Sequence, residues 1–272
     1  MEFIVDFLNR FVTQFQSPTL GFLIGGMLLA AFKSKLQIPT AIYQFIVFML
    51  LMRIGIEGGI EIRHADFSTM FLPAVFAMMI GLIIVAFGSF FLTRMPNIKK
   101  LDGVATAGLF GAVSASTLAA ALVLLEEENI MSEAWAPALY PFMDIPALIL
   151  AIVLAHIADA KDDKDKPDKV AIWPIIKESL QSSALSALLL GMALGLLTNV
   201  NNVFETFYDP LFRGFLSVLM LAMGIEAYSR LNELRKVAHW YVIYGLFAPI
   251  IHGLIAFGFG TIAHYTTGFS PG

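Results

Sequence analysis

The chain has 272 residues, of which 58% are hydrophobic and 14% charged, and its mean hydropathy is +0.79. A soluble domain carries about 25% charged residues, so this composition excludes an ordinary water-soluble fold and predicts membrane-spanning helices. The lack of cysteine excludes disulfides, thiolate metal sites and cysteine nucleophiles, and the formal net charge of −4 identifies no partner.

Eight apolar segments predict an all-α, polytopic transmembrane helical bundle. In chain order they are residues 18–32, 38–52, 70–93, 103–125, 134–157, 183–200, 211–228 and 238–265. The first two have only about 15 residues, fewer than the ~20 that cross a bilayer. We therefore expect them to extend into the flanking polar sequence or to be discontinuous.

Lysine and arginine concentrate in alternate loops, which predicts the orientation. Most of the 17 positive residues lie in four stretches, namely 33–35, 94–100, 161–177 and 230–236. Positively charged loops are retained on the cytoplasmic side, so the N-terminus is predicted outside a plasma (inner) membrane. Residues 159–171 then form a cytoplasmic linker between two halves.

The two halves resemble each other in three places. The matching stretches are 17–29 with 182–194, 55–57 with 224–226, and 80–89 with 252–261, and their glycines align. An odd number of spans separates the copies, which predicts inverted repeats with a site between them. Residues 1–158 form the first repeat of five spans, and residues 172–272 form the second. Because the second contains only three spans, we expect the chain to be a fragment.

The fourth segment, GVATAGLFGAVSASTLAAALVLL, is the first candidate site. Its small and hydroxyl residues are Gly103, Gly108, Gly111, Ser114, Ser116 and Thr117. A break at Gly111 would start a half-helix near Ser114, whose N-terminal amides and hydroxyls would bind an anion. The alternative is close helix packing, for which small residues are also common in membranes.

Asp144 is an ionisable residue inside an apolar segment, between Pro141 and Pro146. A carboxylate at that depth needs a partner, and sodium is a hard cation that prefers oxygen ligands. The alternatives are a structural cap or a position near the membrane interface. For His252 and His264, packing or interfacial positions are preferred to a proton relay.

Long stretches resemble the SbtA-type sodium-dependent bicarbonate transporters of cyanobacteria. These include SPTLGFLIGGM, GLFGAVSASTLAAAL, EAWAPALYPFMDIPAL, WPIIKESLQSSALSALLLGMALG and FYDPLFRGFLSVLMLAMGIEA. The resemblance implies a five-plus-five inverted fold, a homotrimer in membrane lipid, and a cytoplasmic PII-like regulator, SbtB. In two respects the sequence departs from the family, since its central loop is much shorter and the last two helices are absent.

The same resemblance implies the ligand sites. Bicarbonate would contact residues of the fourth segment, namely Phe110, Gly111, Ala112, Ser114, Ser116 and Thr117. Sodium, the co-transported ion, would be held by Ser114, Thr117 and Asp144.

We therefore expect a sodium-dependent symporter that takes bicarbonate into the cell to concentrate inorganic carbon, by an elevator-like alternating-access mechanism. The alternative is a receptor that uses a transporter fold to signal bicarbonate to a soluble partner. The sequence does not predict an enzyme, because no nucleophile, base and orienting group recur at useful spacing. It also predicts no nucleic-acid partner and no organic cofactor.

Overall fold

The computed structural model describes residues 17–63, 67–127, 130, 132–133, 135–160, 172–237 and 239–268. All regular structure in these ranges is helical, which confirms the predicted all-α class. The helices are α1 (Pro18–Ala31), α2 (Thr40–Ile62), α3 (Phe67–Leu92), α4 (Lys100–Gly111), α5 (Ala115–Glu127), α6 (Tyr140–Ala160), α7 (Ile172–Leu180), α8 (Ser183–Leu197), α9 (Asn201–Val203), α10 (Asp209–Val237) and α11 (His239–Thr267). A 3-10 turn, Ala136–Leu139, precedes α6, and a π-helical turn, Phe204–Tyr208, joins α9 to α10.

Four stretches of the described helices are long and apolar enough to cross a membrane, namely Met70–Leu92, Ala136–Ala158, Asn201–Leu231 and Trp240–Thr267. The first predicted span does not extend into the flanking sequence, since α1 has 14 residues. The apolar part of the second ends at residue 52, and α2 continues through polar sequence to Ile62, which is one of the two outcomes expected for this short span. Its polar extension is stabilised because Arg53 pairs with Glu57 on the same helix and with Asp209 of α10.

Serine side chains begin two of the short apolar helices. The Ser17 hydroxyl accepts a hydrogen bond from the Leu20 amide at 3.3 Å, and the Ser182 hydroxyl accepts one from the Leu185 amide, also at 3.3 Å. Each serine has extended backbone and satisfies an amide that the helix itself leaves unpaired. Helices α1 and α8 therefore begin in the same way.

Glycines allow two helix pairs to cross with their backbones in contact. A methyl group built on Gly26 of α1 would lie 3.1 Å from the Cα of Gly224 on α10, and one on Gly191 of α8 would lie 3.1 Å from the Cα of Gly55 on α2. Glycine permits this approach because it has no Cβ. We call α1, α2, α8 and α10 the crossed-pair group, which also holds most of the largest hydrophobic core.

A second set of helices packs beside the first. Helices α3, α4 and α6 contact one another, and α11 packs on α3. We call these four helices the broken-helix group. Helix α5 continues from α4 but inserts Ala119 and Val123 into the core of the crossed-pair group. It therefore connects the two groups and positions the candidate site between them.

Candidate ion and substrate site at a broken helix

The fourth predicted span is interrupted at the expected place. Helix α4 ends at Gly111, the backbone of Ala112 is extended (φ −73°, ψ 150°), and α5 begins at Ala115. The Ala112 amide still donates to the Gly108 carbonyl at 2.9 Å, so α4 closes normally before the chain turns away. The interruption leaves the N–H and C=O of Val113 outside the hydrogen bonding of both helices.

Gly111, the last residue of α4, packs directly against α3. A methyl group built on it would overlap the Val85 side chain and would lie 3.1 Å from the Gly81 carbonyl oxygen of α3. The end of α4 is thus pressed against α3, with no space for a side chain. Gly111 has a packing role, which is the alternative considered for this segment.

Two side chains of α6 hold the broken stretch by its backbone. The Asp144 carboxylate accepts a hydrogen bond from the Val113 amide at 3.0 Å, and the Tyr140 hydroxyl donates one to the Val113 carbonyl at 2.9 Å. The two residues are four apart, so they lie on the same face of the helix. Both are buried, with exposed fractions of 8% each.

Asp144 therefore has the structural role considered as an alternative in the sequence analysis, because its carboxylate stabilises the interruption. This hydrogen bond leaves other acceptor positions available, because a carboxylate has about four of them on its two oxygens. The Val113 amide occupies one of them. Asp144 can therefore stabilise the break and contribute an oxygen to a cation.

Ser114 begins the second half of the span. Its hydroxyl accepts from the Thr117 amide at 3.4 Å, and its carbonyl accepts from the Leu118 amide at 2.9 Å. This is the N-cap arrangement, in which the first turn of α5 presents N–H groups at the break. Ser114 and Thr117 are exposed, whereas the side chain of Ser116 lies outside the described part of the chain.

The remaining predicted site residue, Phe110, faces α11. Its ring lies 5.0 Å from that of Tyr244 and 6.0 Å from that of His252. His252 is buried among these rings, in agreement with the packing interpretation. The predicted residues thus surround the break but contact different neighbours: Gly111 packs on α3, Phe110 on α11, and Asp144 binds the peptide of Val113.

Sequence reasoning missed Tyr140 and an ion-pair network on the other side of α5. Arg53 pairs with Glu57 and donates to Asp209 at 2.6 and 3.2 Å, while its guanidinium lies 4.5 Å from the centre of the Phe212 ring. A cavity of about 280 Å³ adjoins Arg53 and Glu57 and continues to the end of α5. The sequence feature that could have indicated this network is Arg53, which directly follows an apolar run. No pattern identified Tyr140.

The fold and the interrupted span together define an all-α membrane protein with a broken helix at its centre. A family profile described as the Na+-dependent bicarbonate transporter superfamily matches residues 18–270, nearly the whole chain. The chain belongs to this superfamily, which confirms the resemblance found in the sequence. No curated protein matches it at a significant level.

Proposed function

We propose that the protein is a sodium–bicarbonate symporter whose ligands bind at the break between α4 and α5. The observation that carries the proposal is the peptide of Val113, held on both sides by Asp144 and Tyr140 beside the N-terminus of α5. Family membership supports the ligands, because bicarbonate and sodium are the ions that the superfamily description names.

The anion would bind at the start of α5. The first N–H groups of a helix have no partner within it, and the helix dipole favours negative charge at that end. Bicarbonate is small enough to accept from these amides and from nearby hydroxyls. The hydroxyl of Ser114 faces this turn, and Ser116 and Thr117 lie in it.

Sodium would bind beside the anion, between Asp144, Ser114 and Thr117. The carboxylate supplies the negative charge that a buried cation needs, and hydroxyl and carbonyl oxygens complete a hard-ligand set. Each ion lowers the cost of burying the other, so sodium should raise the affinity for bicarbonate and bicarbonate should raise that for sodium by the same factor.

The two helix groups suggest how the site moves. In our proposal the crossed-pair group forms the scaffold, and the broken-helix group slides against it in an elevator-like alternating-access cycle. Support comes from the glycine crossings. The two sequence repeats align Gly26 with Gly191 and Gly55 with Gly224, so the alignment converts the Gly26–Gly224 contact into the Gly191–Gly55 contact. This is the relation that inverted repeats of residues 1–158 and 172–272 would produce.

The cellular setting that we propose follows from the resemblance. The protein would take up bicarbonate across the plasma membrane for carbon concentration, as a homotrimer with the N-terminus outside, under the control of an SbtB-like regulator. Labelling by an impermeant thiol reagent tests the orientation. In intact cells, Ser132→Cys should react and Ser34→Cys should react only after the membrane is opened; the opposite pattern would reverse the orientation.

Flux measurements in proteoliposomes test the function itself. Radiolabelled bicarbonate should accumulate when an inward sodium gradient is imposed, and should not accumulate when potassium replaces sodium. Sodium-dependent binding without accumulation would instead favour the receptor alternative. Uptake of equal size in sodium and potassium would contradict symport.

A further inference from the structure

An open groove lies on the broken-helix group. It is at the C-terminal ends of α3 and α6 and the N-terminal end of α4. It has a volume of about 590 Å³, and helices α3, α4 and α6 all contribute to it. Its walls are mainly apolar and include Ala86, Val104, Leu150 and Leu154. None of these residues belongs to the break between α4 and α5, so the groove is separate from the proposed transport site.

Two basic residues line this groove. Arg94, which follows α3, and Lys100, the first residue of α4, both line it and are exposed. The Arg94 guanidinium donates to the Phe90 carbonyl at 2.9 Å and lies 3.5 Å from the centre of the Phe90 ring. This uses one of its five N–H donors and fixes the guanidinium at the rim.

One wall of the groove contains a polar group without a partner. Ser89 is 7% exposed, and its hydroxyl oxygen is buried with no hydrogen-bond partner in the structure. A buried hydroxyl without a partner is unfavourable, and such groups call for an explanation. The Ser89 side chain would have to change rotamer for this hydroxyl to donate to an ester or phosphate oxygen in the groove.

The same end of the molecule has features of a membrane surface. Ile157 and Ala158, in the last turn of α6, line the groove, and the short helix α7 contacts α6. Helix α7 has apolar and polar residues on different sides, and its Trp173 is 72% exposed. Exposed tryptophan and an amphipathic helix are typical of the lipid headgroup level. The basic rim therefore lies where a lipid phosphate would be.

From these observations we infer that the groove binds one anionic phospholipid. Its phosphate would contact Arg94 and Lys100, and one acyl chain would lie along the apolar walls between α3, α4 and α6. The combination of a basic rim with an apolar groove matches an amphiphile with a negative head. Such a lipid would fill the space between three helices of the broken-helix group and hold their ends together.

Native mass spectrometry of the full chain, released from vesicles of mixed phosphatidylglycerol and phosphatidylcholine, tests this inference. The wild type should retain phosphatidylglycerol preferentially. Arg94→Gln combined with Lys100→Gln should lower that retention by about 30-fold, the effect expected for two basic residues near a lipid phosphate. The control combines Lys33→Gln with Lys35→Gln, which removes the same charge from the loop after α1 and should leave retention unchanged.

A second variant tests the acyl chain. Ala86 is exposed in the groove, so Ala86→Trp should fill it without disturbing the core and should lower the retention of both lipids. Equal retention of the two lipids by the wild type would overturn the inference. So would unchanged phosphatidylglycerol in the Arg94 and Lys100 double variant, or displacement of the lipid by inorganic phosphate alone, which would indicate an anion site with no chain.

Discussion

The two helix groups of this protein are built with different kinds of contact. In the crossed-pair group, the close glycines face the backbone of another helix. An added methyl group would collide with main-chain atoms at each of four positions, Gly26, Gly55, Gly191 and Gly224. In the broken-helix group, most of the close glycines meet side chains. A methyl group on Gly88 would meet the Tyr244 hydroxyl, and one on Gly108 would meet the Ala151 Cβ.

This difference leads us to expect that the crossed-pair group adapts less easily than the broken-helix group. A backbone atom or a Cβ moves only with its helix, whereas side chains such as those of Tyr244 and Val85 can change rotamer. The broken-helix group also contains the interrupted span and the buried hydroxyls of Ser89 and Tyr244, which have no partner. Changes in the first group should therefore reduce the amount of folded protein, and changes in the second should alter transport.

The largest expected effect is at the glycine crossings. Gly26→Ala should destabilise the protein by about 1–3 kcal/mol or more, because the added methyl group overlaps the Leu221 backbone. The neighbouring Gly25 has open space around its Cβ position, so Gly25→Ala is a matched control that should be neutral or slightly stabilising. Thermal unfolding in detergent and the yield of monodisperse protein measure this effect. Equal stability of the two variants would remove the distinction between the groups.

Asp144→Asn should have the next largest effect, on transport. The asparagine side-chain oxygen can still accept from the Val113 amide, so the break should persist, but the charge proposed to hold sodium is lost. Sodium affinity should fall about 10-fold or more, or uptake should lose its sodium dependence. Asp102→Asn, at the exposed start of α4, is the control and should leave uptake unchanged. Normal sodium-dependent uptake by Asp144→Asn would exclude Asp144 from the sodium site.

Ser114→Ala tests the anion site, and here two effects must be distinguished. Loss of a hydroxyl donor to a desolvated anion should weaken bicarbonate affinity by about 10-fold to 150-fold. The same change removes the N-cap of α5, which costs about 0.5–2 kcal/mol of stability. Bicarbonate affinity and thermal stability should therefore be measured on the same preparations of Ser114→Ala and Ser114→Leu.

If the hydroxyl binds the anion, affinity should fall in Ser114→Ala, and uptake should be abolished in Ser114→Leu, where the side chain fills the anion space. If it only caps the helix, stability should fall while affinity per folded molecule is preserved. Ser217→Ala is the control, since its hydroxyl contacts only its own helix, at the Gly214 carbonyl. Unchanged affinity in both Ser114 variants would contradict the assignment.

The smallest effect is expected for Tyr140→Phe. This change removes one neutral hydrogen bond to the Val113 carbonyl, worth about 0.5–1.5 kcal/mol, and leaves the ring in place. If the bond positions the break, sodium and bicarbonate affinities should both fall by about 2-fold to 12-fold. Tyr265→Phe, at a ring that is 83% exposed, is the control. A loss of stability with unchanged affinities would give Tyr140 a structural role only.

Local patterns in the sequence determined the class, the position of most helices and the break near Gly111, because apolar length and small-residue content act within one segment. They also identified Asp144 as unusual, since a charge inside an apolar run is visible without a structure. The extension of α2 into polar sequence was one of the two outcomes expected, but its end at Ile62 was not predicted, because Arg53 in this extension pairs with Asp209, which is distant in sequence. Helix α7 was missed because it is short and amphipathic and does not span the membrane.

Only the tertiary structure decided which residues meet. It showed that Asp144 and Tyr140, on one face of α6, bind the two peptide groups on either side of the Val113 Cα. Phe110 and Gly111, predicted together as anion ligands, pack on different helices. It also showed that two pairs of glycines from opposite halves, Gly26 with Gly224 and Gly55 with Gly191, lie at the helix crossings. Sequence periodicity cannot contain this information, because packing between helices depends on their relative placement in three dimensions, and contacts between distant segments leave no local pattern.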